Sequence, residues 1–194
     1  MPDVVLSSPL AAFLAGGQRA LQVDGRAVTL EEVPFSAMRN LRGNPDAPAF
    51  AQAVLQATGL HLPRKANTAS HDPQRQLLWL GPDEWLLKCR RDYQGSVLAD
   101  SLRAALQGQH SSVVEVGDGN TTLLVHGPAA AELLARGCPL DLHPRACVAG
   151  NVAQSHVAKA AATILCLEPG TRFELTVRRS FAEYLARWLC AAGE

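Results

Sequence analysis

Two stretches of this chain have the same unusual grammar, and they constrain the fold more than any other feature. Leu78-Trp79-Leu80-Gly81-Pro82-Asp83-Glu84-Trp85-Leu86-Leu87 can be laid over Leu165-Cys166-Leu167-Glu168-Pro169-Gly170-Thr171-Arg172-Phe173-Glu174-Leu175. Each is an apolar strand, a proline-led turn and a second apolar strand. Proline is favoured at the second turn position because its ring presets φ, and Gly170 permits the positive φ of a type II turn. Helical patterns close both segments, over residues 97–106 in one case and 181–189 in the other.

The stretches upstream of the hairpins also correspond. Residues 28–33 and 37–41 read as short strands ending at Gly43; residues 112–116 and 121–126 read likewise and end at Gly127-Pro128. Between the latter pair, Asp118-Gly119 supplies the positive φ of a tight hairpin. A helix follows each opening. One carries Phe50, Val54, Leu55 and Leu60 on a stripe, with Asp46 placed to cap it. The other has Pro128 in its first turn and Leu133 and Leu134 on its apolar face. The exits are similar too: Gly59-Leu60-His61-Leu62-Pro63, and Cys138-Pro139-Leu140-Asp141-Leu142. Residues 148–162 add a strand to the second half. The expectation is an α+β fold of two related α+β units, residues 28–110 and 111–194, fused into one compact domain. Their sheets are mostly antiparallel, with helices packed on one face of each, and residues 1–27 form an irregular lead-in.

Composition narrows the function classes. Of 194 residues, 47% are hydrophobic, enough for a substantial core, while 18 basic residues balance 18 acidic ones without a charge block. A nucleic-acid partner is not expected, since phosphate neutralisation calls for a basic stripe. No membrane span is expected, because no run of about 18 apolar residues occurs. Asp3 stands where a secretory signal carries positive charge, and the apolar stretch 9–15 ends at Gly16-Gly17 without a clear cleavage site. Cys89, Cys138, Cys147, Cys166 and Cys190 are scattered and odd in number, which fits reduced thiols and a cytoplasmic location.

No chemical constellation stands above its structural explanation. The glycine fingerprint of a dinucleotide-binding turn is absent, and so is a Walker-type phosphate loop; Gly117-Asp118-Gly119 leads into a strand and reads as a turn. Asp141, His143 and Cys147, with His156 further on, offer metal-ligating atoms, but equally make a polar loop in which Cys147 behaves as a small hydrophobe. Ser180 reads as the cap of the last helix, with Glu183 completing a capping box. His126 closes a strand, and Asp83-Glu84 fits a solvated turn as well as acid–base work. Arg178-Arg179 offers two guanidinium groups to an anion, and is also an ordinary strand end. Trp79, Trp85 and Trp188 read as core residues, of the type that also anchors protein interfaces. No catalytic, cofactor-binding or metal-binding residue is assigned.

The first hairpin, from Leu77 to Leu87, resembles the signature hairpin of the gamma subunit of heterotetrameric sarcosine oxidase. Weaker matches follow in the family's order: Leu41-Arg42-Gly43, Gly59-Leu60-His61-Leu62-Pro63, Gly127-Pro128, Pro139-Leu140-Asp141-Leu142, Arg179-Ser180-Phe181-Ala182 and Trp188-Leu189. The resemblance implies a fold like the folate-binding domain of the glycine-cleavage aminomethyltransferase. It also implies a cytoplasmic complex with alpha, beta and delta chains that demethylates sarcosine oxidatively to glycine, forms hydrogen peroxide and passes a one-carbon unit to tetrahydrofolate. FAD, FMN, NAD and tetrahydrofolate would belong to other chains and zinc to the delta chain, leaving this chain a non-catalytic role in assembly and stability. An alternative is a free-standing folate-binding protein of the same superfamily that assists iron–sulfur enzymes or one-carbon transfer. Arg145-Ala146-Cys147-Val148-Ala149-Gly150-Asn151 faintly echoes the Lys-Gly-Cys-Tyr-x-Gly-Gln motif of that branch, matching only at Cys147 and Gly150.

Overall fold

The computed structural model describes residues 7–90 and 95–193. Among them are strands β1 (Gln18–Val23), β2 (Arg26–Val33), β3 (Ala37–Arg42), β4 (Ala69–His71), β5 (Arg75–Gly81), β6 (Glu84–Cys89), β7 (Ser112–Glu115), β8 (Asn120–His126), β9 (Val152–Val157), β10 (Ala160–Glu168) and β11 (Arg172–Arg178). The helices are α1 (Pro48–Thr58), α2 (Gly95–Ala105), α3 (Ala130–Ala135) and α4 (Ala182–Ala192).

All the strand pairings are antiparallel, in two sheets. One runs β1-β2-β8-β11-β10-β9 and the other β4-β5-β6-β3-β7. Setting β1 aside, the first sheet reads β2-β8-β11-β10-β9 and the second, read backwards, β7-β3-β6-β5-β4. The orders correspond strand for strand, with a crossing: β2 lies in the sheet completed by β8 to β11, and β7 in the sheet built by β3 to β6. The β5/β6 and β10/β11 hairpins also share a register shift just before the turn, between Trp79 and Gly81 and between Cys166 and Glu168.

Period-two alternation gives each sheet two apolar faces. In the five-stranded sheet, Leu41, Leu77, Trp85 and Leu87 face α1 and α2, where they meet Phe50, Val54, Leu98 and Leu102. In the six-stranded sheet, Val28, Leu30, Leu123, Val125, Phe173 and Leu175 face α3 and α4, against Leu133, Leu134, Leu185 and Leu189. Helices therefore cover the outer face of each sheet, as expected. The inner faces meet through a smaller apolar cluster of Met38, Leu78, Leu86, Val152 and Leu165.

Several local details differ from the sequence reading. The lead-in is not irregular throughout: residues 18–23 form β1, an edge strand paired with β2. Residues 1–6 of that stretch lie outside the described residues. Asp118-Gly119 does not turn a hairpin, because β7 and β8 belong to different sheets; residues 117–119 are a single 3-10 turn that carries the chain between them. Helix α1 starts from Ala47 with Pro48 in its first turn and no side-chain cap, so Asp46 does not cap it. The box expected of Ser180 and Glu183 does not form either. Ser180 lies in a 3-10 turn, α4 starts after Phe181, and Glu183 pairs with Arg187 one turn on at 2.8 Å. In both cases a preceding backbone turn supplies the entry geometry. Gly127, with φ +131°, is required where β8 gives way to α3: a Cβ there would lie 2.5 Å from the carbonyl oxygen of Ala27. Among the described residues, no helix is long and apolar enough to cross a membrane.

Candidate functional site

The inner faces of the sheets do not close against each other along their whole length. At one end they leave a cleft of about 580 Å³, lined by Asn40, Leu80, Glu84 and Leu86 from the five-stranded sheet and by Asn120, Gln154, His156, Thr163, Thr176 and Arg178 from the six-stranded one. Strand alternation places these residues: Asn40 and Met38 project to the same face of β3, and Thr176 and Arg178 are on the face of β11 opposite Phe173, Leu175 and Val177. The lining is rich in amide, hydroxyl and imidazole groups. Its carboxylate is already engaged, since Glu84 accepts from Asn40 Nδ2 at 2.6 Å and from Arg42 Nη2 at 2.7 Å. Gln154 donates Nε2 to the Leu80 carbonyl at 2.7 Å and so ties the two walls together.

A second opening of about 450 Å³ contains the inter-sheet ion pair of Lys88 and Glu174. Lys88 Nζ stands 2.6 Å from Glu174 Oε2, with the side chains only 5% and 13% exposed. Gln76 Nε2 donates to the other oxygen at 3.1 Å. Burial by itself pushes the Glu174 carboxyl up, but the Lys88 charge and hydrogen bond, the Gln76 amide and the Arg172 charge outweigh it and hold the group below its usual value. Each charge satisfies the other, so the pair joins the sheets and leaves no free acid or base. Nothing in the sequence reading singled it out. The available signal was a lysine and a glutamate inside apolar strands, in Leu86-Leu87-Lys88-Cys89 and Phe173-Glu174-Leu175.

The residues weighed from sequence are dispersed. Arg178 lines the first cleft, whereas Arg179 donates to the Ser7 carbonyl at 2.6 Å, so the two do not act together. His126 stands 4.0 Å from Glu31 at a half-open strand end. Asp141 Oδ1 accepts from the His143 backbone amide at 3.0 Å, and His143 Nδ1 from the Arg145 amide at 3.2 Å. His156 belongs to the first cleft, away from that loop, and the Cys147 carbonyl accepts from Cys166 Sγ at 3.8 Å. Among the described residues, no three His, Cys, Asp or Glu side chains converge as a metal site. Trp85 is core: it is fully buried, donates Nε1 to the Pro63 carbonyl at 2.8 Å and packs 5.7 Å from the Phe50 ring. Trp79 and Trp188 are half-buried at the edges of the two helix-facing cores.

Comparison with known proteins decides what this geometry belongs to. The model of the sarcosine oxidase, gamma subunit family matches residues 42–194. The sarcosine oxidase subunit gamma of Corynebacterium sp. (strain U-96) is 35% identical over 185 residues, covering 94% of this chain and 87% of that one. This chain belongs to the sarcosine oxidase gamma subunit family. A further member, from Arthrobacter sp., is 32% identical over 185 residues, covering 94% of this chain and 86% of its own length. Among solved structures, a chain of the heterotetrameric sarcosine oxidase from Corynebacterium sp. U-96, in complex with pyrrole 2-carboxylate, superimposes with a TM-score of 0.86 and 32% identity, over 96% of this chain and 94% of that one. The glycine cleavage system aminomethyltransferase T from Bartonella henselae superimposes with a TM-score of 0.60 at 16% identity. This chain covers 44% of it, and the likeness is one of fold. The resemblance first carried by the Leu77–Leu87 hairpin and the aminomethyltransferase-like fold are both met.

Proposed function

We propose that this chain serves as the gamma subunit of a heterotetrameric sarcosine oxidase, as a non-catalytic member that supports assembly and stability. The observation that carries the reading is end-to-end correspondence with a chain of the Corynebacterium heterotetramer, over 96% of this chain. Its partners are then alpha, beta and delta chains, in a cytoplasmic complex. That complex oxidises sarcosine to glycine, forms hydrogen peroxide and hands a one-carbon unit to tetrahydrofolate. FAD, FMN, NAD and tetrahydrofolate reside in the other chains, and zinc in the delta chain.

The internal chemistry supports a structural role. Glu84 is bound by Asn40 and Arg42, and Lys88 and Glu174 neutralise each other, so the conspicuous charged groups between the sheets are occupied with holding the fold. The same reading takes residues 28–110 and 111–194 as related units of one fused domain, which the matching strand orders support.

Gentle purification of the tagged chain from its own cells tests the proposal. Three further chains in stoichiometric amount, flavin absorbance and sarcosine-dependent peroxide formation are expected. Reassembling the other chains without this one should then give a complex that dissociates or loses flavin on mild heating. Recovery of a single colourless protein would overturn the reading and favour a free-standing folate binder, for which titration of the first cleft with tetrahydrofolate is the next measurement. Full stability of the other chains without this one would remove the assembly role.

A further inference from the structure

The loop between α3 and β9 is folded back onto β10 in a way that brings two cysteines together. Cys147 ends a short turn in which its amide and that of Ala146 both donate to the His143 carbonyl, at 2.9 and 2.8 Å. The following residues are fastened to the sheet on either side of Cys166. The Gly150 amide donates to the Cys166 carbonyl and the Cys166 amide to the Asn151 carbonyl, both at 2.9 Å, while the Val148 amide donates to Asn151 Oδ1 at 2.8 Å. Cys166 Sγ donates to the Cys147 carbonyl oxygen at 3.8 Å, and the two thiol side chains are close enough to perturb each other. Both line an open pocket of about 290 Å³ with Leu140, Leu142 and Ile164.

We propose that Cys147 and Cys166 are a redox-active dithiol, a modification site at which a hydroperoxide converts the pair to an intrachain disulfide. Exposure assigns the roles: Cys147 is half-exposed at the pocket, while Cys166 is only 1% exposed behind it. The neighbouring Cys166 thiol favours the Cys147 thiolate, lowering that group's pKa against the opposing effects of burial and Asp141, while Cys166 is pushed up. The Cys147 thiolate attacks one oxygen of the hydroperoxide. The O–O bond breaks, the departing hydroxide or alkoxide takes up a proton, and Cys147 becomes a sulfenic acid. The Cys166 sulfur then gives up its proton and attacks the Cys147 sulfur. The S–O bond breaks, and the leaving hydroxide takes that proton as water. Two thiols are oxidised and one hydroperoxide is reduced. Cys89 provides the contrast: burial pushes its thiol up to about 11, and it takes no part.

Hydrogen peroxide titration of the full-length chain, in whatever complex it purifies with, tests the inference by peptide mass spectrometry under non-reducing conditions. The expected product is a Cys147–Cys166 cross-linked peptide that dithiothreitol reverses. Without oxidant, iodoacetamide should label Cys147 more than about tenfold faster than Cys89, following thiolate fraction and exposure. In Cys166→Ser the sulfenic acid on Cys147 should persist and be trapped by dimedone, and in Cys147→Ser the Cys166 thiol should remain unmodified. The cross-link is read on the unmodified chain, so it does not depend on either variant folding. Oxidation of Cys147 to sulfinic acid with no cross-link, or oxidation of Cys89, Cys138 or Cys190 before it, would overturn the proposal.

Discussion

At the scale of single residues, Lys88 and Glu174 are the most consequential pair. Their side chains are nearly buried, and removing one partner leaves the other charge in a poorly solvated gap between the sheets. Glu174→Gln or Lys88→Met should cost about 3–5 kcal/mol in urea unfolding, while a double replacement by apolar residues of similar volume should recover much of the loss. The pH dependence follows from the sign of the shift. The folded Glu174 carboxyl sits below its unfolded value near 4.5, so its contribution is fully present above that pH and is lost as pH falls through the lower folded value. Wild-type stability should therefore drop below about pH 4.5 more steeply than that of Glu174→Gln, a comparison made by urea titration at several acidic pH values. Sequence reading passed over this pair because each charge lies 86 residues from its partner, and only the packing of one sheet on the other brings them together.

At the scale of elements, periodicity was the most legible signal. Both proline-turn hairpins, the helix that follows each opening and the closing helices formed where apolar spacing placed them, because burying an apolar stripe outweighs local detail. Helix α4 shows the principle: Leu185 and Leu189 are buried against the six-stranded sheet, while Arg187 and Glu183 pair in solvent. Leu189→Ala should destabilise by about 2–5 kcal/mol, whereas Arg187→Ala should change stability by less than about 1 kcal/mol, both read from chemical denaturation. Caps were less legible. Asp46, Ser180 and Glu183 have the right chemistry and spacing, yet Ala47 and Phe181 begin the helices. A capping bond is worth about 1 kcal/mol, little enough for the path of the incoming chain to override.

At the scale of the whole molecule, the exchange of β2 and β7 between sheets is the defining feature. A chain cut between residues 109 and 110 would leave the first fragment with β2 lacking β8, and the second with β8 lacking β2 and β7 lacking β3. Each fragment should therefore show reduced structure and noncooperative melting alone. Mixing them should restore a cooperative transition, measurable by circular dichroism and by co-elution on gel filtration. Two fragments that each fold cooperatively and ignore one another would refute the interlocked arrangement.

The amino-acid sequence by itself determined the antiparallel hairpins, the helices, which strand faces are apolar and, through the Leu77–Leu87 hairpin, the family. These are set by near-neighbour periodicity and turn chemistry, which a linear reading contains. The edge strand at residues 18–23 was legible too, in the Asp24-Gly25 turn that joins it to β2, though the reading passed over it. Tertiary structure alone decided that Asp118-Gly119 joins two sheets instead of turning a hairpin, and that Lys88 meets Glu174 and Cys147 meets Cys166. In each case the deciding interaction joins segments brought together by how the two sheets, or a loop and a sheet, are placed. That placement is fixed by the burial of all the apolar faces at once, and no local stretch of sequence carries it.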